Sequence, residues 1–138
     1  MATATRLDTS DYRKLLRFRD GLRTFIKWSE DQAHAAGMTP AQHQLLLAIR
    51  GHEGSEAPTI SEVAEHLLLQ HHSAVGLVDR AEHTGLVRRA SDPKDHRVVR
   101  LSLTPKARRL LERISAANLE ELRRLGSSLR PFWEGLEL

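Results

Sequence analysis

The sequence predicts a mainly α fold: a winged helix-turn-helix with a two-stranded β-wing, plus long N- and C-terminal dimerisation helices. Three observations carry that reading. Two threonine-led capping boxes, Thr39-Pro40-Ala41-Gln42 and Thr59-Ile60-Ser61-Glu62, each open an apolar-periodic segment. Val99, Leu101 and Leu103 alternate with Arg100 and Ser102, the period of a half-buried strand. The order along the chain is short helix, tight turn, helix, basic hairpin.

The elements follow in turn. Residues 9–35 have the spacing of one long helix. Leu15, Phe18, Leu22, Phe25, Ile26 and Ser29 form its stripe, and Tyr12, Leu16 and Trp28 lie partly off it. A helix apolar on more than one side meets both its own domain and a partner chain, and Gly37 offers its stop. The first capping box starts a helix that Gly51 closes, with Leu45, Leu46, Leu47 and Ile49 as core surface. Gly51 to Pro58 is the one Gly/Ser/Pro-rich break and reads as a loop. The second box starts a short helix with Ile60, Val63, Ala64 and Leu67 inward.

Leu68-Leu69-Gln70 forms a tight turn. A helix from about His71 to about Thr84 follows, with Ala74, Leu77, Val78 and Ala81 inward and Gly85 at its end. The two β-prone runs are 86–90 and 98–103, and the turn formers and charges between them make the hairpin tip. Thr104-Pro105 caps a last long helix to about Leu125, ~30 Å in length at ~1.5 Å per residue. Gly126-Ser127-Ser128 is expected to break it. The tail beyond holds Leu129, Pro131, Phe132, Trp133, Leu136 and Leu138, apolar surface best buried against a second copy.

A chain of 138 residues, 40% hydrophobic and 28% charged, suits one packed domain spanning 1–138. Within it lie an N-terminal dimerisation helix (1–37), a winged helix-turn-helix (38–104, wing about 86–103) and C-terminal dimerisation helices (105–138). Cysteine is absent, which excludes disulfides, thiolate metal sites and cysteine redox sensing. The longest uncharged stretch, His66 to Val78, is too short to span a bilayer, and the N-terminus has no apolar signal core. The expected location is therefore cytoplasmic and nucleoid-associated.

Charge is concentrated. Residues 86–109 carry eight Lys/Arg against two Asp, net +6, whereas the whole chain is only +3. A focused basic segment is the footprint of a polyanion site. The second helix of a helix-turn-helix lies in the DNA major groove and presents its N-terminal residues to base edges. Here those residues are Gln70, His71, His72, Ser73, Val75 and Gly76. Histidine donates to or accepts from base edges, Val75 suits a thymine methyl, and Gly76 permits close approach. Ser73 and the free N–H groups of the first turn suit a phosphate. Arg80 and Arg88 are assigned to phosphates ahead of Arg89 and Arg100, and Lys94 sits at the hairpin tip.

The strings His71 to Arg89 (HHSAVGLVDRAEHTGLVRR), Asp92 to Arg97 (DPKDHR), Leu101 to Ala107 (LSLTPKA), Met38 to Ile49 and Thr59 to Leu67 stand in order at consistent spacing. In them the sequence resembles the MarR family of transcriptional regulators over about residues 12–125. The resemblance implies a homodimer held by the first and last helices, reading a pseudo-palindromic operator on double-stranded DNA, most often as a repressor. It implies that Arg97, with Asp95 as partner in the Asp-x-Arg pattern, enters the minor groove, and either Asp92 or Asp95 is placed to hold it. The lack of any Lys or Arg from Ser73 to Asp79 departs from many members. A small aromatic or phenolic effector in the crevice beside the dimer helices is also implied. Phe25, Trp28, His34, His43 and Arg13 are available to line it, although Phe25 and Trp28 equally suit core or dimer contacts.

No nucleophile elbow, Gly-rich phosphate loop or paired-carboxylate motif is present, so no enzyme and no cofactor are expected. The eight histidines show no ligand spacing; His66 with Glu62 and His83 with Asp79 read as surface pairs. The competing readings are a winged-helix protein-interaction module and a sequence-nonspecific architectural DNA binder.

Overall fold

The structure, a computed structural model, describes residues 6–134, with the side chains of 128, 129 and 131–134 left aside. It comprises α1 (Thr9–Ala35), α2 (Pro40–Arg50), α3 (Ile60–Leu67), α4 (His71–His83), β1 (Val87–Ser91), β2 (Val99–Leu103) and α5 (Pro105–Glu134). Local chemistry explains most starts. Thr39 and Thr59 each accept from the backbone N–H three residues on, and Gln42 and Glu62 return the bond to the cap residue. Asp8 and Asp11 do the same for α1, a box the sequence reading missed because both members are aspartates. Thr104 Oγ1 accepts from Ala107 N–H at 3.2 Å and starts α5.

The core lies under the helix-turn-helix. Leu45, Leu46 and Ile49 of α2, Val63 of α3, Leu77, Val78 and Ala81 of α4, and Leu86, Val87, Leu101 and Leu103 around the hairpin form one cluster. Ala107, Leu111 and Ile114 close it from α5. Leu47 departs from expectation: it is 46% exposed, off the buried face of α2. Ile60 and Leu67 are only partly buried.

The long helices differ more. Of α1, only Ser29 and Ala33 are buried. Leu15, Leu22 and Ile26 of the apolar stripe are exposed together with Tyr12 and Leu16. One protomer has no second layer to cover them. The expected break at Gly126–Ser128 is absent, and α5 continues to Glu134. Glycine costs a helix interior only about 1 kcal/mol relative to alanine, and Ser127 Oγ donates to Arg124 O at 2.9 Å within the helix. At ~1.5 Å per residue α5 is ~45 Å long. The side chains of the apolar tail from Leu129 lie outside the described residues, except Arg130.

β1 and β2 pair antiparallel, with Val87 opposite Leu103 and Ser91 opposite Val99. β2 is further tied to the loop before α3: Leu101 N–H donates to Pro58 O at 2.8 Å, and Thr59 forms a bridge with Arg100. No described helix is long and apolar enough to cross a membrane.

Leu46→Ala should cost about 2–5 kcal/mol, the range for emptying a fully buried leucine site. Leu47→Ala should stay within about 1 kcal/mol. Urea unfolding at one fixed chain concentration separates the two; equal losses would show that the exposed side of α2 is covered.

Candidate nucleic-acid interface

α4 differs from its neighbours at its first turn. Its N-cap, Gln70, makes no side-chain capping bond. Gln70 O takes the N–H groups of both Ser73 and Ala74 at 3.1 Å. The positive end of the helix dipole is therefore left open to an anion. Gln70, His71, His72 and Ser73 are exposed there, and Val75 and Gly76 are partly so. Ala74, Leu77, Val78 and Ala81 are buried, which fixes the rotation of the helix about its axis. Gly76 is not bare, however. The Arg80 Nη1 lies 3.3 Å from where a Cβ on Gly76 would stand. Arg80 thus folds back over the glycine, one turn toward the open end.

The wing is organised by Asp92, which is 6% exposed. Its Oδ1 accepts from Lys94 N–H at 2.7 Å and from Asp95 N–H at 3.3 Å. Its Oδ2 accepts from Arg100 Nε at 2.7 Å. Its own N–H closes on Val98 O at 2.8 Å. Arg100 then reaches Ala57 O through Nη1 at 2.8 Å and Glu56 through Nη2 at 2.6 Å. One guanidinium so binds the wing to the loop between α2 and α3.

Asp95 holds Arg97. The Nε–Oδ1 and Nη2–Oδ2 contacts are 3.1 and 3.2 Å, and Arg97 N–H also donates to Oδ1 at 3.1 Å. The Arg97 side chain is nevertheless 91% exposed. A forked pair of this kind sets direction while leaving the outer face of the guanidinium free. Of the two carboxylates considered for Arg97, then, Asp95 takes it and Asp92 takes Arg100.

Two of the basic side chains are engaged inside the fold. Arg100 is one. The other is Arg89, which bonds Asp79 and lies 3.7 Å from Glu82, tying β1 to α4. Arg88 and Lys94 are exposed. The expected His83–Asp79 pairing yields to Arg89, and Glu62 pairs with His52 at 2.9 Å rather than with His66. His52 Nδ1 faces His66 Nε2 at 3.2 Å. These contacts join residues 10 or more apart, beyond the reach of helical spacing.

The array is an exposed first turn of α4, an outward arginine on a braced hairpin, and a helix-turn-helix beneath: a winged helix-turn-helix protein. Residues 36–98 match the model of the MarR family. The HTH-type transcriptional repressor MdtR of Bacillus subtilis is 35% identical over 68 residues, 49% of this chain and 42% of that protein. The chain spans less than half the length of the curated relatives it matches. CouR from Rhodococcus jostii RHA1, solved with p-coumaroyl-CoA, is 26% identical at a TM-score of 0.70, covering 95% of this chain and 85% of that one. A point mutant of S. aureus MepR, solved with an oligodeoxyribonucleotide, shares the fold at 21% identity and a TM-score of 0.67, covering 88% of this chain and 84% of that one. Residues 36–98 are thus similar to the MarR family of regulators, and the chain shares its fold with solved regulators of that kind.

The Asp92 carboxyl titrates below its ordinary 3.8, chiefly through the Arg100 guanidinium and then the Lys94 N–H. A depressed carboxyl adds stability that is whole above the ordinary range and is lost as pH falls through the depressed value. Asp92→Asn should therefore flatten the fall of Tm between about pH 5 and pH 2 relative to the parent chain. Parallel acid limbs in the two proteins would show that the Asp92–Arg100 contact does not couple to folding.

Proposed function

We propose that this protein is a sequence-specific, double-stranded DNA-binding repressor that works as a homodimer. The observation that carries the reading is the pairing of an uncapped, exposed α4 N-terminus with a braced, outward Arg97. α4 supplies base-edge and phosphate contacts through Gln70, His71, His72, Ser73 and Val75, and Gly76 lets the Arg80 side chain lie over the helix surface. Arg97 serves the adjacent minor groove, and Arg88 and Lys94 add phosphate contacts. The MepR mutant of the same fold, bound to an oligodeoxyribonucleotide, supports this assignment.

The dimer rests on the exposed apolar side chains of the long helices: Tyr12, Leu15, Leu16, Leu22 and Ile26 on α1, with Leu119 and Leu122 on α5. Apolar surface on that scale favours a second copy. Two α4 helices then face half-sites about one helical turn of DNA apart, ~34 Å.

A crevice of about 470 Å³ between α1 and α2 is the place for a small-molecule effector. Phe25, Ile26, Ser29, Pro40, His43 and Gln44 line it. Phe25 and His43, two of the residues available to line an effector site, both border it. Trp28 instead stacks beside Phe25, ring centroids 6.5 Å apart, and neither His34 nor Arg13 lines the crevice. Burial holds the His43 imidazole below its ordinary 6.5, so the ring offers one donor and one acceptor at neutral pH. CouR, solved with p-coumaroyl-CoA, supports an aromatic acyl ligand.

Selection of bound sequences from random duplexes at physiological salt tests the whole reading. An inverted repeat holding two chains is expected. Unrelated sequences would point to an architectural binder, and no recovery to an interaction module. On the selected duplex, Arg97→Ala should weaken binding at least about fivefold, or ~1 kcal/mol, with the dimer intact in sedimentation. Unchanged affinity would remove the minor-groove role.

A further inference from the structure

Three helices end in the same hydrogen-bonded reversal. After α1, Met38 N–H returns to Ala33 O at 2.9 Å and Gly37 N–H to His34 O at 3.0 Å. After α4, Leu86 N–H returns to Ala81 O at 2.9 Å and Gly85 N–H to Glu82 O at 3.0 Å. After α3, Leu69 N–H returns to Ala64 O at 3.0 Å and Leu68 N–H to Glu65 O at 3.3 Å. Each reversal puts one residue in the left-handed region: Gly37 at φ 80°, Gly85 at φ 77° and Leu68 at φ 54°. Glycine occupies that region without penalty, whereas a Cβ crowds the neighbouring carbonyl. The chain thus uses glycine twice and leucine once for the same turn.

The leucine gains nothing inside the protomer. Its side chain is 93% exposed, the highest value among the large apolar side chains described. Leu68 is therefore unfavourable twice over in the free protein, by conformation and by hydration. A strained residue that makes no internal contact points to a contact made elsewhere. Its place says where. Leu68 is two residues before Gln70, the uncapped start of α4, and three before His71, hence within ~10 Å of it. Of the other exposed large apolar side chains, Leu69 adjoins it in the same turn and Leu47 lies on α2, whereas the long stripe that suits a second copy runs along α1 and α5, on other elements than this turn.

We propose that Leu68 is a specificity-determining DNA contact, packing its methyl groups on a thymine C5-methyl at the rim of the major groove beside His71 and His72. Apolar contact with that methyl is the one hydrophobic feature of the major-groove code. The inference rests on the DNA-binding reading above.

The test uses the full chain and the duplex recovered by selection, with a scrambled duplex of equal composition alongside. Leu68→Gly keeps the turn and relieves the strain, so Tm should rise. Its affinity for the selected duplex should fall about four- to fifteenfold, the effect of losing one or two buried methyl groups. Affinity for the scrambled duplex should not change. Leu68→Ala, which keeps the strained Cβ, should lose the same affinity without the gain in Tm. Replacing thymines one at a time by deoxyuridine should weaken the parent chain at one position per half-site, and Leu68→Gly should be insensitive there. Parent-like affinity in both variants, or no thymine whose effect Leu68→Gly cancels, overturns the proposal alone. A parent chain that selects no duplex overturns the DNA-binding reading, and this inference falls with it.

Discussion

One guanidinium links the tip side of the wing to the loop before α3. Arg100 sits on β2, and its three nitrogens reach the wing through Asp92 and the α2–α3 loop through Glu56 and Ala57 O. The other ties of the hairpin lie nearer its base: the burial of Val87, Leu101 and Leu103, the Leu101 N–H on Pro58 O, and Arg89 on Asp79 and Glu82. Through Arg100, the loop that precedes α3 and the strand that returns from the tip move together. Asp92 sits at the other end of this arrangement. Its carboxylate is shielded from water and accepts from two N–H groups of the tip as well as from Arg100. Such a carboxylate needs its cationic partner, because a buried charge left alone is strongly destabilising. The direction in which Arg97 leaves the tip is therefore set from within the fold, two contacts back.

That arrangement changes the meaning of the basic segment. Eight cations between 86 and 109 look like one polyanion-binding patch. Arg89 and Arg100 are taken up by Asp79, Glu82, Asp92 and Glu56, carboxylates of which only Asp92 lies within the segment. Arg97 is both paired and exposed. Net charge measures the field, which reaches beyond contact distance, but it does not say which side chain holds the fold and which faces outward.

What was legible in the sequence was local. The capping boxes at Thr39 and Thr59 define helix starts within four residues, and the inward faces of α4 and β2 follow from periods of 3.6 and 2. Contacts between distant segments were not legible: Glu62 with His52, Arg89 with Asp79, Arg100 with Ala57 O. The two long helices misled for another reason. Periodicity reports that a face must be buried, not by what, so the α1 stripe did not say which of its side chains meet their own domain and which a single protomer leaves in water. Gly126-Ser127-Ser128 read as a break because glycine and serine are weak helix formers, yet the helix around them continues.

The unfavourable features of the protomer fall into two groups, and one element belongs to both sides of the regulatory question. Exposed apolar side chains run along α1 and α5; the uncapped α4 and strained Leu68 lie at the helix-turn-helix. Ile26 is half exposed on α1 and also lines the crevice against α2. α2 in turn packs on α3 and α4 through the shared core. In the proposed regulator, a ligand between α1 and α2 would therefore touch the dimer face on one side and the support of α4 on the other. It shifts DNA affinity only to the extent that it prefers one spacing of the two α4 helices over another. A crevice within a single rigid unit would offer no such preference. In that proposal the crevice has one wall on α1, the proposed dimer face, and the other on α2, which supports α4 through the core.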